Sequence, residues 1–206
     1  MKQIRPPINE IDYVYLTGAL SHLKYPRDKI KLMLRKGELT RVKKGLYVFH
    51  GGSGGNTYSM ATLANLVYGP SYISRESALS HYGLIPERVE TVTSMTLKRS
   101  RYFKTPVGDF EYKHLTAVKF ATGITLHKED RLHNILIATR EKALIDRLAG
   151  VPGIESIRDL EEWLFDDMRI DEQELRKFKK GLTREITKVY KDPNADLFVR
   201  YIGARK

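Results

Sequence analysis

The sequence predicts an α+β chain in two unequal parts, a small N-terminal winged-helix module followed by a mixed helix and antiparallel-sheet domain with a helical C-terminus. Three observations lead there. Helix-spaced apolar residues run up to Leu34 and give way to a β-prone run from Leu39 to Phe49. Four glycines then fall within Gly51-Gly52-Ser53-Gly54-Gly55-Asn56, and no regular element holds such a run without heavy entropic cost. Beyond it, β-branched segments between Val92 and Leu126 are flanked on both sides by helical patterns.

The first helix is expected from Asn9 to Leu23, where Ile11, Val14, Tyr15, Leu16, Leu20 and Leu23 recur at three- and four-residue spacing. Asn9 and Asp12 can take up its free N–H groups. Pro26 suits the first turn of a second helix with Ile30, Met33 and Leu34 as its apolar stripe; Gly37 stands where a left-handed cap would end it, and Leu32 falls off the stripe. Leu39 to Phe49 reads as a hairpin around Lys44 and Gly45. The predicted units are therefore residues 1–50, a linker at 51–56, and residues 57–206.

In the larger unit, Tyr58 to Tyr68 and Ser74 to Tyr82 read as helices, the second closed by Gly83. Val92 to Leu97, Phe110 to His114 and Ile124 to Leu126 carry strand character between turn signals such as Thr105-Pro106-Val107-Gly108, predicting a largely antiparallel sheet. Thr139 to Leu148, Ile154 to Phe165 and Asp171 to Tyr190 read as helices.

Composition narrows the partners. The 206 residues carry 41% hydrophobic and 30% charged residues, within the globular range. The absence of cysteine excludes disulfides, thiolate metal sites and cysteine nucleophiles. No apolar run approaches the roughly 20 residues that a bilayer span needs, and Lys2 and Arg5 are followed by no apolar stretch, so a cytoplasmic location is expected. The net charge is +11 and the pI near 9.7, which favours an anionic partner. Residues 1–50 hold 11 Lys and Arg against 4 Asp and Glu, net +7, leaving 25 against 21, net +4, for the rest. The excess is concentrated in the first quarter.

Within that quarter, Arg27, Lys31 and Arg35 lie four apart on one predicted helical face, flanked by Lys29 and Lys36, and the hairpin adds Arg41, Lys43 and Lys44. A helix of this width enters the major groove, and a basic hairpin beside it reaches phosphates. A solvated basic face that keeps a small module soluble is the plainer alternative.

Other constellations are less specific. The glycine run lacks the Gly-Lys-Ser/Thr of a phosphate-binding loop. His22, His50, His81, His114, His127 and His133 include no pair four residues apart, so no metal site is expected. Alternation places Asp109, Glu111 and Lys113 on one face of a strand, where carboxylates beside a lysine, with Glu90 as a further ligand, would suit a metal-dependent nuclease. The same pattern is that of an ordinary half-exposed strand. On balance no catalytic residue and no cofactor is expected. A module whose basic surface meets an acidic protein is a third possibility.

Several segments resemble, in order, the AbiEi family of bacterial antitoxins. The opening helix pair through Lys36-Gly37-Glu38-Leu39, with Lys44-Gly45-Leu46-Tyr47-Val48, is similar to that family's N-terminal part. Gly69-Pro70-Ser71-Tyr72-Ile73-Ser74-Arg75-Glu76-Ser77-Ala78-Leu79, with His81-Tyr82-Gly83-Leu84-Ile85-Pro86-Glu87, resembles its central helix. Thr105-Pro106-Val107-Gly108-Asp109-Phe110-Glu111-Tyr112 resembles its strand motif, and Arg140-Glu141-Lys142-Ala143-Leu144-Ile145-Asp146 its later helical signature.

The resemblance implies an antitoxin of a type IV toxin-antitoxin system, also described as abortive infection. Its winged helix would repress its own operon by binding promoter repeats, and its C-terminal domain would counteract a cognate nucleotidyltransferase toxin. Carried over by position, DNA binding falls on Arg27, Lys29, Lys31, Arg35 and Lys36 and on Arg41, Lys43 and Lys44. The family offers no catalytic residues to transfer. The short N-terminus leaves little room for a three-helix module.

Overall fold

A computed structural model describes residues 8–50 and 58–204. The linker predicted at 51–56 lies outside the described residues. The first unit comprises strand β1 (Glu10–Asp12), helices α1 (Tyr13–Ala19) and α2 (Pro26–Arg35), and strands β2 (Leu39–Lys43) and β3 (Leu46–Phe49). β3 lies between β1 and β2, antiparallel to both.

The first helix is shorter than expected because Glu10, Ile11 and Asp12 pair with Val48, Tyr47 and Leu46. Backbone committed to a ladder cannot open a helix. The helix starts after Asp12, whose Oδ1 accepts from the Tyr15 N–H at 2.6 Å. α2 begins at Pro26 as expected. It ends at Gly37 with φ +71; the Gly37 N–H reaches the Leu34 carbonyl at 3.2 Å and the Glu38 N–H the Met33 carbonyl at 2.9 Å. This left-handed closure is one that a Cβ would oppose by roughly 1–2 kcal/mol. Leu16, Leu20, Ile30 and Met33 close a small core with Ile11, Leu39, Tyr47 and Phe49.

The second unit runs α3 (Met60–Val67), β4 (Ser71–Ile73), α4 (Arg75–His81), β5 (Val92–Thr96), β6 (Arg101–Thr105), β7 (Gly108–His114), α5 (Ala117–Ala121), β8 (Ile124–Lys128), β9 (Asn134–Ala138) and α6 (Arg140–Leu148). It finishes with α7 (Ile157–Glu162), continued by a π turn at Trp163–Asp167, then α8 (Glu172–Arg176), α9 (Lys180–Tyr190) and α10 (Pro193–Ala204). The α+β class is as expected, but the sheet, ordered β6-β7-β5-β4-β9-β8, is mixed rather than largely antiparallel. β6 turns back at the edge, so β7 returns beside β5 in parallel; β9 likewise lies parallel to β4. The helix expected from Asp171 to Tyr190 is two helices, because Phe178 is drawn into the core and the Lys179 N–H donates to Glu141 Oε1 at 2.7 Å. Among the described residues no helix is long and apolar enough to cross a membrane.

The two units share a core. Val42, Leu46 and Val48 of the hairpin belong to the same apolar cluster as Leu63, Ala64 and Val67 of α3. The ends of α3 are held by opposite charges from the first sheet. At its start, Glu10 Oε1 accepts from the Ser59 N–H. At its end, Lys43 Nζ donates to the carbonyls of Leu66 (3.1 Å) and Val67 (2.5 Å). An anion at a helix N-terminus and a cation at its C-terminus each complement the free backbone groups and the helix dipole. Glu10 is itself buried and places Oε2 3.1 Å from His133 Nε2, whose other ring nitrogen meets Asp130 Oδ2 at 2.7 Å.

A second anchor is the carboxylate of Asp146, buried in α6. It accepts from Tyr72 Oη (3.0 Å), from Ser74 Oγ (2.6 Å) and from Tyr190 Oη. Lys142, fully enclosed one turn earlier, lies 3.5 Å from Asp146 Oδ1 and donates to Tyr190 Oη (2.6 Å) and to the Lys119 carbonyl (2.5 Å). Burial pushes the Lys142 ammonium down to about 8, against the pull of Asp146. Burial, and then the charge of Asp146, pushes the phenols of Tyr72 and Tyr190 up. Gly123 admits this packing: at φ +79, a Cβ there would sit 2.9 Å from both Lys142 Cβ and Ile186 Cδ1.

Two outcomes are expected. Lys142→Met strands a buried carboxylate and lowers unfolding stability by about 3–5 kcal/mol, read by urea denaturation; a loss under about 1 kcal/mol would mean that Asp146 is sustained by the hydroxyls alone. For the Glu10 clamp, desolvation lowers the His133 pKa, but the hydrogen bonds and charges of Asp130 and Glu10 outweigh it and the net shift is upward. The folded chain then holds a proton that the unfolded chain has released, so this stabilisation is complete below the ordinary histidine pKa and is lost as pH rises through the raised one. His133→Gln should lower Tm more at about pH 5.5 than at about pH 8.5, and equal decrements would contradict the assignment.

Candidate nucleic-acid interface

α2 divides cleanly. Ile30 and Met33 are buried and Leu34 half-buried against the small core, while Arg27, Asp28, Lys31, Leu32, Arg35 and Lys36 face solvent. The helical period puts Arg27, Lys31 and Arg35 on one row, as expected. Asp28 lies within 3.3 Å of Lys31, with both side chains about 70% exposed (68% and 71%), so this pair is solvent-screened and neutralises little. Leu32, off the apolar stripe in the sequence, is 37% exposed among these charges. Lys29 is half-buried at the edge of the face.

The hairpin supplies fewer free cations than expected. Arg41 and Lys44 are exposed. Arg41 Nε leans on the Lys43 carbonyl at 3.4 Å, beside an irregularity in the β2–β3 register. Lys43 differs from them: it is half-buried, its ammonium donates to the last carbonyls of α3, and burial followed by the charge of Lys98 lowers its pKa. Two of its three N–H donors are thus engaged within the fold.

A shallow groove of about 560 Å³ lies between α1 and the start of α2, lined by Tyr13, Thr17, Lys24, Tyr25, Arg27 and Lys31 among others. Tyr25 is 62% exposed, and Lys24 Nζ lies 5.4 Å from its ring centroid. An exposed aromatic ring edged by cations accepts sugar and phosphate surfaces. Tyr25 and Lys24 were not singled out in the sequence; their signal was position, immediately before the Pro26 that opens the helix.

The strand face considered for metal chemistry keeps its alternation but not its convergence. Phe110 and Tyr112 are buried, and Asp109, Glu111 and Lys113 share the other face. Asp109 Oδ2 accepts from Tyr102 Oη at 2.5 Å, whereas Glu111 Oε1 pairs with Lys113 at 3.2 Å. Glu90 stands exposed before β5. Among the described residues no group of three or more His, Asp or Glu side chains is placed to hold a metal ion.

The residues resembling the central and later family motifs converge on the Asp146 cluster. Tyr72, Ser74 and Arg75 come from one, Lys142 and Asp146 from the other, and Arg75 Nη1 donates to the Asp146 carbonyl at 2.8 Å. Glu76 and Arg147 continue the contact at 2.5 Å on the outer side.

No protein-family model matches the chain, and no curated protein matches it. Among solved structures, the fold is similar to the RV2827C protein from Mycobacterium tuberculosis, with a TM-score of 0.50 and 14% identity over 94% of this chain and 76% of that one. At that identity the likeness concerns the fold alone, and it spans both units.

Proposed function

We propose that the chain is a sequence-specific DNA-binding repressor that doubles as an antitoxin of a type IV toxin-antitoxin system. The DNA-binding part is carried by one observation: α2 buries one face in the small core and turns Arg27, Lys31 and Arg35 outward as a row, with the exposed Arg41 and Lys44 of the hairpin in the same unit. The order of strand, two helices and hairpin supports reading this unit as a winged helix, with α2 as the groove-facing helix. The phosphate contacts fall to Lys31, Arg35, Lys36, Arg41 and Lys44, and base contacts to the exposed residues of the first turns of α2. The antitoxin part rests on the resemblance of the motif segments to the AbiEi family, and its partner is a nucleotidyltransferase toxin.

A gel shift on the chain's own upstream DNA tests the repressor reading. Binding at least about 1,000-fold tighter than to unrelated DNA at physiological salt is expected, weakened by at least about tenfold in Arg27→Ala/Lys31→Ala/Arg35→Ala. Equal affinity for both DNAs would reject sequence-specific repression. The two activities should also separate. In cells expressing the toxin, that triple variant should still restore growth while a promoter reporter is derepressed; loss of rescue along with repression would mean that the basic face serves both.

A further inference from the structure

The Lys43 clamp brings a second group of cations beside the hairpin. Lys43 ends at Leu66 and Val67, and the next residue, Tyr68, carries Lys98 Nζ 5.0 Å from its ring centroid. The proximity of the two ammonium groups is felt in the lowered pKa of Lys43, after the larger effect of burial. Tyr68 packs on Phe103 with centroids 5.3 Å apart, and the Arg101 guanidinium lies 4.9 Å from the Phe103 ring. One aromatic cluster thus seats Lys98 and Arg101 side by side, with Arg99 between them in sequence.

The turn between β5 and β6 is held in place rather than loose. His114 donates its backbone N–H to Ser100 Oγ at 2.9 Å and sets Nδ1 3.1 Å from the Lys98 carbonyl. Leu97 to Tyr102 are all exposed. The turn itself holds Lys98, Arg99 and Arg101 and no acidic residue; the acids of the neighbouring strand lie farther along, Asp109 opposite Lys104 and Glu111 opposite Tyr102, with Glu111 paired to Lys113. The aromatic seats carry the cations at little cost in hydration, since both head groups remain at the surface.

We propose that the β5–β6 turn, through Lys98, Arg99 and Arg101, is a second backbone-binding element for the same DNA duplex, continuing the basic surface of the hairpin onto the second unit. This rests on the DNA-binding reading above. A shared core and a clamped α3 hold the turn and the hairpin in one fixed arrangement, so the ordering entropy of bringing two phosphate sites together is met in the fold itself. The contacts are to phosphates, so they add affinity on any sequence and leave discrimination to α2.

The test is the salt dependence of binding to the upstream DNA and to unrelated DNA by the full chain and by Lys98→Gln/Arg99→Gln/Arg101→Gln. Each phosphate contact contributes about 0.9 to the slope of log affinity against log salt. The variant should bind both DNAs more weakly by a similar factor, keep their ratio, and show a slope smaller by about 2.7. Because Lys98 and Arg101 rest on aromatic rings, Arg99→Gln alone, with an unchanged Tm, is the companion variant; its slope should fall by about 0.9. An unchanged slope in both variants overturns the proposal while leaving the repressor reading intact, and a full chain that binds neither DNA overturns both.

Discussion

A carboxylate taken out of water costs several kcal/mol unless its lone pairs are filled, and Asp146 is such a group. Its oxygens are filled by hydroxyls from β4, from the residue before α4 and from α9, and Lys142 neutralises it from one turn earlier in α6. Each partner has its own place in the fold: Tyr72 lies in the middle of the large sheet, Ser74 opens α4, and Tyr190 closes α9. Displacing any of these elements leaves a buried charge or hydroxyl unsatisfied. The position of α6 on the sheet is therefore set by polar geometry in addition to apolar packing, and a core of aliphatic residues alone would tolerate sliding that this one does not.

The same logic explains why the small unit is not an appendage. α3 belongs by packing to the large core, yet its two ends are capped by Glu10 and Lys43 from the small sheet. Glu10 is buried and Lys43 half-buried, and both have committed partners. The hairpin thus has two surfaces with different duties: Val42, Leu46 and Val48 with Lys43 fasten the unit, while Arg41 and Lys44 remain outside. α2, packed on the far side of the same small sheet, is presented in a fixed attitude.

Legibility from the sequence followed the range of the determining interactions. α2 and the β2–β3 hairpin were readable because Pro26, Gly37 and Lys44-Gly45 act within a few residues. β4, Ser71-Tyr72-Ile73, is too short to show alternation, and β9, Asn134-Ile135-Leu136-Ile137-Ala138, is an apolar run that periodicity cannot tell from buried helix. β6, Arg101 to Thr105, mixes charge and aromatic residues as an edge strand does, and it escaped notice. Lys43 was legible as a cation but not as a clamp, since its acceptors lie 23 and 24 positions away. Likewise Lys142 and Asp146 stand four apart, the spacing of an ordinary surface ion pair on a helix; only their helix's location made them the interior of the molecule. Tyr72, Ser74 and Arg75 are about 70 positions from Asp146, so their convergence on one carboxylate and its helix was likewise outside the reach of local patterns.

Charge in this chain is therefore sorted by depth. Inside, Glu10 is matched by His133, and Asp146 by Lys142, at the distances that hydrogen bonding requires. Outside, the row on α2 contains one acid, Asp28, among Arg27, Lys31 and Arg35, and the β5–β6 turn contains none. A net charge of +11 that was merely scattered would say little beyond solubility. Here the Glu10–His133 and Lys142–Asp146 pairs are interior, and the exposed cations include two clusters in two units that the fold locks together. Like charges held at fixed spacing repel, and folding has to absorb that repulsion; a polyanion of regular charge spacing is the kind of partner that converts it into binding free energy by releasing counterions.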